Sequence, residues 1–274
     1  MNICYLCGMN RNRHIDIMGI VNLTDDSYFA QSRCSDVDAA VEKVGRMLAD
    51  GATIIDIGAC STRPGSLPVG ADEEWIRLEP VLKAVKDKYP DARISVDTYW
   101  SEVVQKAYDL IGDFIVNDIS AGEEDASMLP LVGRLGLTYI AMHKRGNPEN
   151  MQSLTDYDDV VDDVVEYFRQ FSHKAGSFGI KSWILDPGFG FAKDVVQNYE
   201  MLARLDELRN LEAPVLVGVS RKSMIYRKFG ITPEEALPAT QVLHMKALQL
   251  GADVFRVHDV AEIVRTVALY RILG

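Results

Sequence analysis

The stretches LADGATIIDIG (48–58) and LQLGADVFRVHD (248–259) echo each other. Each reads as a helix end, a glycine, and then a strand of apolar, largely β-branched residues. The repetition is that of one βα unit. Eight apolar runs of this kind punctuate the chain: Ile15–Leu23, Thr53–Ala59, Arg93–Tyr99, Phe114–Ser120, Thr138–Lys144, Ser182–Phe189, Pro214–Arg221 and Val254–Val260. Continuous apolar runs of this length suit strands buried on both faces, as in a parallel sheet.

Helical patterns lie between the runs. Val37, Ala40, Val41, Val44, Met47 and Leu48 form one stripe, and Val160, Val161, Val164, Val165, Phe168 and Phe171 another. Thr232 to Glu235 reads as an N-cap, a proline at the first helical position and a capping-box glutamate. Eight alternations in 274 residues give about 34 residues per unit, the size of a βα repeat in a barrel. The spacing predicts an α/β protein, a single-domain (β/α)8 TIM barrel, with residues 1–14 as an extension at the barrel bottom. A doubly wound open sheet expects Gly-x-Gly-x-x-Gly after the first strand, and MGIVNLTDDS (18–27) has no such turn.

The composition, 47% hydrophobic and 25% charged, is that of a globular chain. A net charge of -11 argues against nucleic acid as a partner, because phosphate backbones need a basic face. A small anionic substrate stays open to it, since a few arginines can dominate locally. No run of 18 apolar residues marks a membrane span, and no charged-then-apolar leader marks a signal peptide. Four cysteines in a chain of this length make no disulfide framework, and Cys4-x-x-Cys7 has no second pair to make a zinc or redox site. The expected compartment is cytoplasmic.

In such a barrel, chemistry gathers at the C-terminal ends of the strands. Those ends carry Asn22, Thr62, Arg63, Asp97, Asn117, His143, Asp186, Lys222, Arg256 and His258. For Asp and Asn, capping of the next helix explains the position equally well. For Lys, Arg and His it does not, because burying such charges without partners is costly. Arg63, Arg256, His258, Asn22 and Thr62 suit phosphate oxygens. Asp97, Asn117, Asp186 and Lys222 alternate acceptors and donors, which suits a flat heterocycle such as a pterin or purine.

Eight blocks carry a resemblance to a known family: MGIVNLTDDS (18–27), DIGACSTRPGS (56–66), SVDTY (95–99), VNDIS (116–120), AMHKRG (141–146), ILDPGFGFAK (184–193), VGVSRKS (217–223) and FRVHDV (255–260). In this order they resemble dihydropteroate synthases, which join a pterin diphosphate to p-aminobenzoate. The resemblance implies a pterin pocket of Asp97, Asn117, Met142, Asp186, Lys222 and Arg256. It implies a p-aminobenzoate site of Thr62, Pro64, Phe191, Lys222 and Ser223, and a diphosphate region of Asn22, Thr62, Arg63, Arg256 and His258. Mg2+ is the implied cofactor, with Asn22 as its ligand. Asp97, Arg63, Lys222, Arg256 and His258 are the implied catalytic groups, with Asp97 facing a pterin cation. Ser223 is expected to open a short helix after the seventh strand. A homodimer is implied as well, and the apolar residues of the last helices, about Leu237–Leu250 and Ala261–Leu273, agree with it.

The chain departs from the family pattern in its first loop. Asp25, Tyr28, Phe29, Ala30, Gln31 and Ser32 stand where the family usually has Pro, Phe, Ser, Asp, Gly and Gly. Cys60, Lys144 and Ala192 depart as well. Other readings are a catalytically weak pterin-binding paralogue and a methyltransferase moving a folate methyl to a corrinoid protein. An aldolase with Lys222 as Schiff base is a further one.

Overall fold

The structure is a computed structural model that describes residues 13–23, 33–60, 70–146 and 150–273. Eight parallel strands alternate with helices: β1 (Asp16–Asn22), α1 (Arg33–Ala49), β2 (Ile54–Gly58), α2 (Ala71–Lys88), β3 (Ile94–Asp97), α3 (Ser101–Ile111), β4 (Ile115–Asp118), α4 (Met128–Leu135), β5 (Thr138–Met142), α5 (Val160–Ser177), β6 (Trp183–Asp186), α6 (Val195–Ala203), β7 (Leu216–Val217), α7 (Ser223–Phe229), α8 (Leu237–Gln249), β8 (Val254–Val257) and α9 (Val260–Leu273). The sheet order β6-β5-β4-β3-β2-β1-β8-β7 wraps the strands into a TIM barrel. A single bridge, Leu185 to Val215, joins β6 to β7.

All eight apolar runs are strands, and both helical stripes face the core. β7 is much shorter than its run: ladder pairing to β8 covers only Leu216 and Val217, and the chain turns away after Val219. The capping-box bonds at Thr232 form, amide to Glu235 carboxylate at 2.9 Å and back to the hydroxyl at 3.3 Å. They close an isolated turn, however, and the helix starts afresh at Leu237, where Pro238 in its first turn needs no amide partner.

The two echoing stretches fold alike. Gly51 and Gly251 follow α1 and α8 with φ of +104° and +97°. The next residues, Ala52 and Ala252, donate back to Met47 and Ala247 at 2.8 and 3.0 Å. These bonds satisfy carbonyls that the helix end leaves open, and glycine supplies the positive φ they need. Of the predicted N-terminal extension, the structure describes Arg13 and His14. Arg13 donates to the Ala252 carbonyl at 2.7 Å and pairs with Asp253, and His14 bonds Asp16, so both lie at the barrel bottom. Cys4 and Cys7 lie outside the described residues.

Inside the barrel, strand alternation builds layers. Met18, Ile54, Ile115, Ile140, Ile184, Leu216 and Val254 form one apolar cluster, a residue from each of seven strands. Burying each such side chain stabilises by roughly 1.5–3 kcal/mol. This plug is the floor on which the next layer stands.

Candidate active site

Two residues further along, the inward face turns polar on four of these strands. Above Ile54, Ile115, Ile184 and Val254 stand Asp56, Asn117, Asp186 and Arg256; above Ile140 stands Met142, and Asp97 ends β3. Asp56 is fully buried, and Asn117, Met142 and Asp186 nearly so.

Arg256 is the centre of this layer. Its Nε lies 2.6 Å from Asp56 Oδ2 and its Nη2 lies 2.7 Å from Asp97 Oδ2. Asn117 donates from Nδ2 to both Asp56 oxygens at 3.2 Å. Its amide oxygen therefore remains an acceptor facing the pocket layer. Gly58 keeps the clamp open: a Cβ there would come 3.0 Å from the Asp97 Cβ, its partner across the β2–β3 ladder. Burial raises the Asp97 carboxyl above the usual range. Arg256 opposes that rise, and Asp56, Asp118 and Asp186 add to it. At Arg256, Asp56, Asp97 and Asp186 outweigh burial and hold the guanidinium charged.

Asp186 accepts the Gly188 amide at 2.8 Å. Burial raises its pKa, and Lys222 is the strongest opposing charge. Lys222 donates to the Phe189 carbonyl and sits 5.0 Å over the Phe191 ring. Burial pushes its ammonium down to about 8, against the pull of Asp186. Arg256 thus forms ion pairs with Asp56 and Asp97, while Lys222 and Asp186 act on each other only through their fields.

The loop after β6 is tied from behind. Lys193, buried, donates to His143 Nδ1 at 2.9 Å and to the Phe191 and Gly188 carbonyls at 3.2 and 3.3 Å. Gly188 has φ +69°, and a Cβ on it would strike the His143 carbonyl at 2.0 Å. Asn198 accepts the Gly190 amide at 2.7 Å and donates to the Lys193 and Asp194 carbonyls. These bonds fix the Phe189 carbonyl that holds Lys222 and the Phe191 ring beneath it.

At the mouth, Asn22 ends β1 exposed, and His258 follows β8 with its Nδ1 3.1 Å from Ser220 Oγ. Ser223 opens α7, as expected. A cleft of about 210 Å3 beside it is lined by Gly190, Asn198, Met224 and Arg227. Thr62, Arg63 and Pro64 lie outside the described residues, as do Asp25, Tyr28, Phe29, Ala30, Gln31 and Ser32 of the first loop. The described members of the predicted set come together in one barrel end. Three residues of that end went unassigned in the sequence: Asp56, Lys193 and Ser220. Asp56 stands where Arg256 stands in the echoing unit, but that match acquires meaning only once the fold brings the two together.

The family model for pterin-binding enzymes matches residues 18–258. The chain belongs to the pterin-binding enzyme family. Among its relatives in that family, dihydropteroate synthase of Escherichia coli K12 is 40% identical over 253 residues, which is 92% of this chain and 89% of that protein. The structure of dihydropteroate synthase from Clostridium difficile, determined with pteroic acid, superposes with a TM-score of 0.88 at 35% identity and covers 96% of this chain and 97% of that one. The Xanthomonas albilineans enzyme with 4-aminobenzoic acid gives 0.87 at 34% identity, covering 96% and 94%. None of these relatives supports the methyltransferase or aldolase readings.

Proposed function

We propose that this barrel end joins 6-hydroxymethyl-7,8-dihydropterin diphosphate to p-aminobenzoate, giving 7,8-dihydropteroate and diphosphate. The observation that carries the reading is the polar layer itself: Arg256 clamped between Asp56 and Asp97, beside Asp186 and Lys222, in a chain 40% identical to a dihydropteroate synthase. The enzyme is a transferase, and no described helix is long and apolar enough to cross a membrane. The cytoplasm is its proposed compartment.

The aminopyrimidinone edge of a pterin presents parallel N–H groups that a carboxylate can receive together. Asp186 is the group for that edge, Asn117 offers its amide oxygen, and Met142 is an apolar wall. Reaction breaks the C–O bond at the pterin methylene, and the electron pair leaves with diphosphate. Arg256 and His258, with Arg63 from the second loop, receive the leaving charge. Asp97 faces the cation left on the pterin. The amine of p-aminobenzoate then forms the C–N bond and releases a proton. Phe191 and Pro64 would flank its ring, and Ser223, Lys222 and Thr62 would hold its carboxylate.

Mg2+ is the proposed cofactor. Among the described residues no group of three His, Cys, Asp or Glu side chains is arranged to hold a metal. Mg2+ takes most of its ligands from phosphate and water and needs only one or two protein oxygens. Asn22 would be that ligand, and the ion would neutralise charge on the diphosphate. A homodimer is supported by exposed Val242 on α8 and Leu269, Ile272 and Leu273 on α9. Light scattering should give twice the 30.5 kDa chain mass.

The test is direct. Purified protein with Mg2+ and both substrates should yield dihydropteroate, detected by mass. Asp186→Ala should weaken pterin binding by about 2–4 kcal/mol, because it leaves a buried donor pair unmet. Near wild-type affinity by calorimetry in that variant would overturn the pocket.

A further inference from the structure

β7 and β8 pair in a register that sets Leu216 beside Val254 and Val217 beside Phe255. The same offset of 38 residues continues past both strand ends as two rungs of side-chain bonds, Ser220 to His258 and Arg221 to Asp259. The outer rung is a two-pronged ion pair, Arg221 Nε and Nη2 each 2.8 Å from an Asp259 oxygen. Arg221 also donates to the Pro233 and Glu234 carbonyls at 3.2 and 2.9 Å. Its backbone is held at φ +54°, a conformation that a non-glycine residue keeps only when its surroundings enforce it. The outer rung therefore fixes where its neighbour Ser220 points.

The inner rung is made by Ser220, which is buried. Its Oγ lies 3.1 Å from His258 Nδ1 and accepts the His258 backbone N–H at 3.2 Å. We propose that Ser220 is a positioning residue that sets the tautomer of His258: its hydroxyl donates to Nδ1, which leaves the ring proton on Nε2, offered to an anion at the barrel mouth. This rests on the reading that the mouth takes a diphosphate.

A hydroxyl has one proton and two lone pairs. The backbone amide of His258 uses one lone pair. Among the described residues, Nδ1 is the one side-chain acceptor bonded to this hydroxyl. Were Nδ1 protonated instead, two donors would point at Oγ and the hydroxyl proton would have no acceptor among the described residues. The ring is neutral near pH 7, so its tautomer matters. Enclosure and then Arg256 push its pKa down to about 4; Asp259 opposes this, and Lys43 and Arg221 add to it. A neutral imidazole with its lone pair outward repels a phosphate oxygen, whereas one with N–H outward donates to it. Ser220 thereby decides which face of the dipole His258 presents.

The test uses the full chain with 15N-labelled histidine. Long-range proton–nitrogen spectra at pH 7 should give His258 a bare Nδ1 and a protonated Nε2, the signals being assigned by their loss in His258→Gln. Ser220→Ala should shift His258 toward the Nδ1–H form and weaken binding of inorganic diphosphate by about three- to tenfold in calorimetry, with dihydropterin affinity unchanged. Ser220→Thr, which keeps the hydroxyl, should restore both, and it guards against misfolding of the alanine variant. A wild-type His258 in the Nδ1–H form overturns the proposal, and that measurement needs no variant at position 220. So does Ser220→Ala with unchanged tautomer and diphosphate affinity while His258→Gln loses affinity. Unchanged diphosphate affinity in both variants, with the tautomer still set by Ser220, places the failure in the diphosphate reading and withdraws the functional part of the proposal.

Discussion

Residues 48–58 and 248–259 are one backbone design used twice. Both leave a helix through a glycine at φ near +100°, both return an amide to the helix end, and both enter an inner strand through a buried apolar residue, Ile54 or Val254. They part at the third strand position, where the first unit places Asp56 and the second Arg256. Because β1 alone separates β2 from β8, these two side chains meet across the barrel at 2.6 Å. The shared part builds the barrel, and the differing part supplies a charge pair within its mouth. Stability and ligand chemistry are thus written at different positions of the same unit, and substitutions should separate them.

The largest effect should come from breaking the pair on its positive side. Arg256→Met leaves buried Asp56 and half-buried Asp97 side by side with no cation between them. Removing one partner of a buried ion pair typically costs about 3–5 kcal/mol, and dihydropteroate formation should cease. Asp56→Asn should be milder, since Arg256 keeps Asp97 and the amide still meets Asn117. Urea unfolding of both variants, beside product detection, checks the asymmetry. Equal losses would mean that Asp56 organises the layer as much as Arg256 does.

Asp97→Asn should act on turnover rather than on the fold. The amide keeps the shape and one bond to Arg256 but lacks the charge facing the pterin cation. A barrier increase of about 2–4 kcal/mol is expected for one preorganised group. Single-turnover rates should fall by more than pterin affinity does. An unchanged chemical step would remove Asp97 from this role.

Much of this architecture was legible in the residues alone. The eight apolar runs became eight strands because burial on both faces leaves little freedom in pattern. Lys222 and Arg256 were legible because Lys and Arg have no capping role to explain them after buried strands; Asp97, Asn117 and Asp186 were legible only beside them, since capping explained each alone equally well. Asp56 was not, since one carboxylate inside TIIDIG reads as a break in an apolar run until its partner 200 residues on is known. Lys193 and Ser220 act through contacts with His143 and His258 that no local pattern announces. The turn at Thr232 had sound capping chemistry, but the helix begins at Leu237, four residues after the first helical position that turn implied.

The two units also lead into different helices. The first feeds α2, whose Glu74 is fully buried, with Thr98 and Arg77 the neighbours that favour its carboxylate. Burial raises its pKa from 4.5 to about 7, and Asp97 nearby adds to the rise. The folded state therefore binds this proton more tightly than the unfolded state. Its stabilising contribution is complete below about pH 4.5 and is lost as pH rises through about 7. Glu74→Gln should remove that part of the pH dependence, and at pH 8 the variant should be more stable than wild type by about 2–3 kcal/mol. Unfolding curves at pH 5 and pH 8 decide it. An identical slope in both proteins would mean that Glu74 is already compensated.

The smallest effect tests the shared half of the design. Gly51→Ala and Gly251→Ala place a methyl group on backbones at +104° and +97°, where alanine is strained. Strain of this kind amounts to about 1–2 kcal/mol per site. The surroundings differ: the new Cβ at 51 would touch the Val264 side chain at 3.0 Å, whereas at 251 it would run into Arg209 Cδ at 2.5 Å. Arg209 is a long side chain that can swing aside, so its displacement should add little, and the two variants should lose nearly equal stability. Neither glycine touches the polar layer, so pterin affinity should stay at the wild-type level in both. A much larger loss at 251 would make Arg209 a structural part of the second unit. A fall in pterin affinity in either variant would mean that the turn and the charged tip of a unit are coupled, and the separation between what builds this barrel and what it binds would fail.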